Sequence, residues 1–348
     1  MAQRKHESTA PVLPTHTPAL FQRAVEAAAG LLRAGEVVAV PTETVYGLGA
    51  NAFDAQAVER IFQVKGRPAH NPIIVHVASI EMARDCVREW PSIANRLAKS
   101  FWPGPLTLIL PRASSIPDVV TAGGNTVGVR WPSHPFVQAL IRTCGFPLAA
   151  PSANLSNRLS PTNADHVAAQ IGDRIRLIVD GGQCQVGIES TVLDVSVSPL
   201  RLLRPGMIHE EALLAIVGEL DTGRGNAVGI LRSPGQLARH YSPKAPLEIW
   251  RWTDEEHLRQ LSRRSRVDPL QTHIVAHTRI PSDNGYGRVA VIPHDPEAFA
   301  RALYAELHAC DQAGAKLIIV EALPETGEWR ALADRLNRAA RVISAPKP

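Results

Sequence analysis

A mixed α/β sheet followed by a smaller three-layer α/β domain is the fold class the sequence predicts, and three observations predict it. Short apolar runs alternate with amphipathic stretches along the first 210 residues, but irregularly, which suits a mixed sheet better than a regular doubly wound one. The pattern then fails across residues 219–246, "ELDTGRGNAVGILRSPGQLARHYSPKAP", where Gly, Pro and Ser concentrate. Beyond it four strand-like runs and three helical stretches follow. These shifts divide the chain into a flexible N-terminal tail (1–16), a first domain (17–218), a linker or lid (219–246) and a second domain (247–348).

The elements read as follows. Thr17 can cap a helix, Pro18 suits its first position and Gly35 the position after its end. "VVAV" follows as a strand. Asp54 caps a second helix that turns Val58, Ile61 and Phe62 inward and stops near "KGRP". "IIVHV" is the next strand, and Ser79 and Ser92 open two more helical segments. "WPGPLTLIL" ends the second of these, because two prolines forbid helix, and "LTLIL" reads as strand. "TVGVR" (126–130) is a strand, 135–143 a helix, and "PLAA", "RIRLIVD", "STVLDV" and "PLRLLR" add strands up to about residue 203. In the second domain "LEIW", "THIVAHT", "RVAVIP" and "KLIIVEAL" are strands, with helices near 254–262, 295–313 and 328–340.

Composition narrows the function classes. Apolar residues make up 45% of the 348 and charged residues 20%, enough for two globular cores. No apolar run approaches the length of a membrane span, and the polar N-terminus lacks the apolar stretch of a secretory signal. The formal charge of +4 and a pI near 9.0 permit a phosphate or nucleic-acid partner without requiring one. Cys86, Cys144, Cys184 and Cys310 form no C-x-x-C pair, and H-E-x-x-H is absent. The expectation is a reducing, cytoplasmic setting with no disulfide and no protein-held metal.

Six polar clusters follow or precede strands in the first 210 residues: "PTETVYG", "KGRPAHNP", "TVGVR", "APSANLSNRLSPT", "GIESTV" and "LRPG". Strand ends of α/β sheets are where ligands bind. Together the clusters supply Lys65, Arg67, Arg130 and Arg204 as cations. They supply Thr44, Thr126, Ser152, Ser160, Ser190 and Thr191 as hydroxyls, and Asn71 and Asn154 as amides. If they converge, the pocket is cationic and rich in donors, and a nucleotide fits it. Each cluster also has a structural reading. Lys65 and Arg67 end a helix, where the dipole favours cations; "PSAN" and "SPT" suit turns and a helix cap; His76 inside "IIVHV" reads as a hydrogen-bonded core histidine, and Tyr46 as packed. No Walker loop, dinucleotide fingerprint, G-x-S-x-G elbow or kinase signature is present, so a bound nucleotide would sit in an unusual site.

The clusters in their order resemble the YrdC-like family of threonylcarbamoyl-AMP synthases. The resemblance is carried by "VPTETVYGLGANAFDAQAVERIFQVKGRPAHNPIIVHV", "WPGPLTLIL", "TVGVRWP", "PLAAPSANLSNRLSPT", "GIESTVLDV" and "LRPG". "SPGQLARHYSPKAPL" and "DRLNRAA" resemble the long form, which adds a second α/β domain; the chain departs from it at "TGEWRALADRL", where a glycine-rich turn is expected.

The resemblance implies the mixed twisted sheet of the YrdC-like type. It implies a reaction in which L-threonine, bicarbonate and ATP give threonylcarbamoyl-AMP and pyrophosphate, with Mg²⁺ arriving on the ATP. A separate transferase machinery would then use the product to modify tRNA. It further implies that Thr44, His76, Arg130, Ala150 and Ser190 meet L-threonine, which replaces the core reading of His76. Lys65 and Arg67 would be catalytic, gathering phosphates, and Asn71, Thr126, Ser152, Asn154, Ser160 and Arg204 would line the ATP site. Tyr241 would reach the ATP from the linker. Two rivals stand beside it: a double-stranded RNA-binding or ribosome-maturation module without ATP chemistry, and a carbamoyl-transfer domain of the hydrogenase-maturation kind, for which the chain lacks any zinc-finger pair.

Overall fold

The computed structural model describes residues 9–223, 241–282, 285–325 and 327–341. The chain divides into two compact units, residues 1–156 with 160–236 and residues 157–159 with 237–348.

The first unit is built on one mixed sheet. Its strands are β1 (Val12–Pro14), β2 (Val38–Val40), β3 (Gly47–Asn51), β4 (Ile74–His76), β5 (Leu106–Pro111), β6 (Thr126–Arg130), β7 (Leu148–Ala149), β8 (Ile178–Asp180), β9 (Thr191–Asp194), β10 (Leu200–Arg204) and β11 (Leu220–Asp221). They lie in the order β1-β8-β2-β3-β7-β4-β6-β5-β9-β10-β11. Parallel pairs such as β4 with β6 and β5 with β9 adjoin antiparallel ones such as β2 with β3 and β5 with β6. The helices are α1 (Pro18–Arg33), α2 (Ala55–Lys65), α3 (Ile80–Asp85), α4 (Ser92–Phe101), α5 (Asp118–Thr121), α6 (Pro135–Cys144), α7 (Ala164–Ile171) and α8 (Glu210–Val217).

Side-chain alternation sorts the core into two layers. Val38 and Val40 of β2 pack with Ala24, Ala28 and Leu32 of α1 and with Phe136 and Leu140 of α6. Ala39 faces the opposite layer, with Val58 and Ile61 of α2 and Leu97 of α4. The expected caps form: Thr17 accepts from the Leu20 N–H, and Asp54 from the N–H groups of Gln56 and Ala57.

Four features differ from the sequence reading. Residues 12–14, expected in the tail, pair in parallel with β8; this is a sheet edge, where Pro14 forfeits no ladder bond. Residues 47–51, to which the sequence reading assigned no strand, form β3 and pair antiparallel with β2, so the polar run 41–46 is the turn of a hairpin. Leu220–Asp221, expected in the linker, pair with β10. The short α7 and α8 escaped the pattern because eight residues give barely two turns of periodicity. Residues 224–240, most of the predicted linker or lid, lie outside the described residues.

The second unit holds a parallel sheet of β12 (Leu247–Trp250), β13 (Thr272–Ala276), β14 (Arg288–Val291) and β15 (Leu317–Glu321), ordered β12-β15-β13-β14. Its helices are α9 (Glu255–Ser265), α10 (Pro296–Gln312) and α11 (Arg330–Ala339). Ile274, Ala276, Leu317 and Ile319 pack with Leu258 of α9, while the intervening Val275, Ile318 and Val320 are also buried. A parallel sheet buried on both faces is the middle of three layers. Among the described residues no helix is long and apolar enough to cross a membrane.

Candidate functional site

The hairpin turn between β2 and β3 holds itself rigid. Thr42 Oγ1 donates to the Val45 carbonyl at 2.6 Å and lies 3.0 Å from Thr44 Oγ1. Two neighbouring loops are stitched to it through the backbone. Val186 N–H reaches the Glu43 carbonyl and Gly187 N–H the Thr44 carbonyl, at 2.8 and 3.1 Å, and Tyr46 N–H reaches the Pro161 carbonyl at 2.9 Å. The Tyr46 hydroxyl donates to the Gly182 carbonyl and accepts from the Gly181 N–H, so this phenol is a strut, as expected.

Arg130, at the end of β6, donates to Thr44 Oγ1 from Nη1 (2.9 Å) and brings Nη2 within 2.8 Å of Glu43 Oε1. His76 is its register partner on β4. Burial, and then the charge of Arg130, push the His76 pKa down to about 3, so its ring is neutral. His76 Nδ1 has no partner among the described residues. Ala150 is buried and donates its N–H to the Ile74 carbonyl.

Ser190 and Arg204 meet beyond β5, at the start of β9 and the end of β10. Arg204 Nη2 donates to Ser190 Oγ (3.1 Å) and Nε to the Ser190 carbonyl (3.0 Å), while Ser190 Oγ lies 2.8 Å from Thr107 Oγ1 of β5. The turn after β10 needs Gly206, since a Cβ there would fall 2.4 Å from the Thr191 nitrogen. Ser160 Oγ donates to Glu189, the neighbour of Ser190.

α2 ends on Gly66 at φ +58°, a left-handed turn that sends Lys65 and Arg67 to different backbone acceptors. Lys65 Nζ donates to the carbonyls of Ser152 and Asn154, and Arg67 donates to those of Asn71 and Pro72. Burial first, and Arg67 second, drive the Lys65 pKa well below the ordinary lysine range. A buried ammonium beside a guanidinium is relieved by an arriving anion. Asn71 is fully buried, and both ends of its amide lack a partner among the described residues. Thr126 begins β6 and is half-buried.

The loops carrying Thr44, Arg130, Ser160, Ser190 and Arg204 are thus joined by direct hydrogen bonds, as are those carrying Lys65, Ser152 and Asn154. Tyr241 lies in the second unit. It is buried there 6.1 Å from the Tyr304 ring, with the Arg335 guanidinium 5.4 Å from its own ring centre. Among the described residues no group of three His, Cys, Asp or Glu side chains is placed to hold a metal. Sequence reasoning gave no role to Glu43, Thr107 or Glu189. A polar residue inside the apolar run "LTLIL" was the available signal for Thr107; Glu43 lay within a singled-out stretch, and only its contact with Arg130 gives it a task.

Comparison with known proteins covers both units. The family described as "Telomere recombination" matches residues 30–206, and that described as "Threonylcarbamoyl-AMP synthase, C-terminal domain" matches residues 208–341. The threonylcarbamoyl-AMP synthase of Bacillus subtilis is 44% identical over 343 residues, spanning 95% of this chain and 96% of its own. That of Pyrococcus abyssi is 39% identical, spanning 91% and 94%. The crystal structure of P. abyssi Sua5 complexed with L-threonine superposes with a TM-score of 0.86 at 36% identity, covering 97% of this chain and all of that one.

Proposed function

The chain belongs to the YrdC-like family of threonylcarbamoyl-AMP synthases in its two-domain form, enzymes of tRNA threonylcarbamoyladenosine synthesis, and from that premise we propose that its first unit joins L-threonine, bicarbonate and ATP through the residues described above. Threonine and bicarbonate condense to N-carboxythreonine with loss of water. A carbamate oxygen then bonds to the α-phosphorus of ATP, the bond to the β-phosphate bridge breaks, and pyrophosphate leaves.

The observation that supports this reading is a division of labour among buried groups. Buried Arg130 bonds buried Thr44 and pairs in register with buried His76, and Ala150 and Ser190 are assigned to the same substrate. Buried Lys65 bonds the carbonyls of half-buried Ser152 and buried Asn154, and buried Arg67 and Asn71 follow it in the chain. Arg130 offers a planar fork to a substrate carboxylate. Neutral His76 brings an unpartnered ring nitrogen without adding charge. Lys65 and Arg67 meet the phosphates, with Asn71, Thr126, Ser152, Asn154, Ser160 and Arg204 along the nucleotide.

No side chain has to be a covalent nucleophile, because the carbamate is already an anion. The barrier is bringing that anion to a polyanion, and fixed cations lower it. Mg²⁺ would arrive with the ATP phosphates rather than in a cage of protein carboxylates, and would supply neutralisation of the charge on pyrophosphate beside Lys65 and Arg67. The product passes to a separate transferase in the cytoplasm, and the net charge of +4 suits contact with RNA.

The test is pyrophosphate release by the purified chain with ATP and Mg²⁺. Release that requires both L-threonine and bicarbonate is the expected result. Salt-sensitive RNA affinity with no release would replace the reading by the RNA-binding one.

A further inference from the structure

Glu43 stands at the centre of the rigid hairpin turn with a carboxylate that is 3% exposed and has no hydrogen-bond donor on either oxygen among the described residues. We propose that Glu43 is the positioning residue of the threonine pocket: it fixes the Arg130 guanidinium in the pose that meets the substrate carboxylate, and it tempers that charge so that the pocket accepts a carboxylate rather than a polyphosphate. The inference rests on the assignment of Arg130 to threonine made above.

The platform is fixed first. The Glu43 carbonyl accepts from Val186 N–H and the Thr44 carbonyl from Gly187 N–H, so the carboxylate is carried on backbone that cannot drift. Arg130 is then held at three points. Nη1 donates to Thr44 Oγ1 at 2.9 Å, Nε faces the Gly104 carbonyl at 3.4 Å, and Nη2 lies 2.8 Å from Glu43 Oε1. The last contact is close but poorly aligned for a hydrogen bond, so it holds by charge, and Nη2 keeps its N–H groups. A guanidinium has five N–H donors. With Nε and one Nη1 donor engaged, donors remain on both terminal nitrogens, and two such donors are what a carboxylate takes in a bidentate pair.

The surroundings leave Arg130 as the counter-ion of Glu43. His134 lies near, but its Nδ1 accepts from the Phe136 N–H at 3.2 Å, so the ring caps α6 and carries no proton there. The Cys184 thiol, also near, is pushed up by burial and by Glu43 itself, so it stays protonated. An unbalanced buried guanidinium would attract the ATP phosphates as readily as threonine. Paired with Glu43 it is close to neutral, and a planar carboxylate gains from geometry what it cannot gain from net charge.

The experiment measures pyrophosphate release by the full chain, varying L-threonine and ATP separately, for Glu43→Gln, Arg130→Gln and the double variant. Glu43→Gln is expected to raise the threonine KM about tenfold or more while the ATP KM stays within about twofold. The double variant should be no worse than Arg130→Gln alone, since Glu43 acts through Arg130; being charge-neutral, it also controls for misfolding. Glu43→Asp, which keeps the charge on a shorter arm, should recover part of the loss. If Arg130→Gln impairs threonine use but Glu43→Gln does not, or if the two effects multiply in the double variant, the positioning role is overturned. A silent Arg130→Gln would sink the underlying assignment of Arg130 and this inference with it.

Discussion

In the first unit Asn71 is fully buried with neither end of its amide satisfied, and His76, Glu43 and Arg130 each keep a buried polar atom without a hydrogen-bond partner among the described residues. In the second unit the equally buried Glu321 is saturated. It accepts from the backbone N–H groups of His277 (2.8 Å), Thr278 (2.9 Å) and Arg279 (3.2 Å), and from the Thr278 hydroxyl. The second unit has unfilled atoms of its own; two of them, His273 Nδ1 and Arg288 Nε, belong to residues that are neighbours across β13 and β14, and Arg288 is tied to Glu306. A folded chain does not leave several buried donors and acceptors unpaired in one place without cause, since each costs about 1–3 kcal/mol. On the proposed function, the unfilled Asn71, His76, Glu43 and Arg130 are the groups substrate would complete, and the filled Glu321 is scaffold.

The comparison is tested hardest at Lys65 and Arg67. Removing one pre-organised donor that stabilises developing charge costs roughly 3–4 kcal/mol in other enzymes. Lys65→Ala and Arg67→Ala are therefore each expected to lower turnover by at least about 100-fold. Lys65 also ties the Ser152 and Asn154 carbonyls to α2, so pyrophosphate release is to be read beside a thermal melt. A folded variant with near-normal turnover would break the assignment.

The converse test is Glu321→Ala. Three strand-end N–H groups would lose their acceptor, and water can reach only some of them, so stability should fall by about 2 kcal/mol. Threonine-dependent pyrophosphate release below the melting transition should stay within about threefold of the unaltered chain on the same scale of reasoning. A loss of activity matching that of Lys65→Ala would show that the second unit is more than scaffold and would erase the contrast.

How far the sequence was legible follows the same division. Caps and strand runs are local, and Thr17, Asp54, "LTLIL" and "TVGVR" stand where the pattern put them. The hairpin β2–β3 was missed because two glycines in five residues weaken a strand signal that pairing with β7 and β2 then restores. Residue types in the site were legible as polar clusters at strand ends, but their grouping was not. Nothing local says that Arg130 reaches Thr44 across 86 positions, or that Lys65 reaches Asn154 across 89. The same limit applies to His76. Periodicity places it in a buried strand, and burial is the larger cause of its neutrality; the guanidinium opposite, which adds to that effect, is what no local pattern could show.

That histidine gives the smallest and most specific effect. Its folded pKa, about 3, lies below the ordinary value of 6.5 that it regains on unfolding. Between those values the unfolded chain binds the extra proton, so stability rises with pH and is lost as pH falls below about 6.5. From pH 6.5 to 5.5 one such group accounts for about 1 kcal/mol. Urea unfolding at the two pH values should therefore show the unaltered chain losing about 1 kcal/mol more than His76→Asn, whose side chain does not titrate. Equal losses in the two proteins would mean that His76 already carries a proton in the folded state. It would then stand in the pocket as a second cation beside Arg130, and the first unit would have one unfilled neutral group fewer than the comparison with the second unit requires.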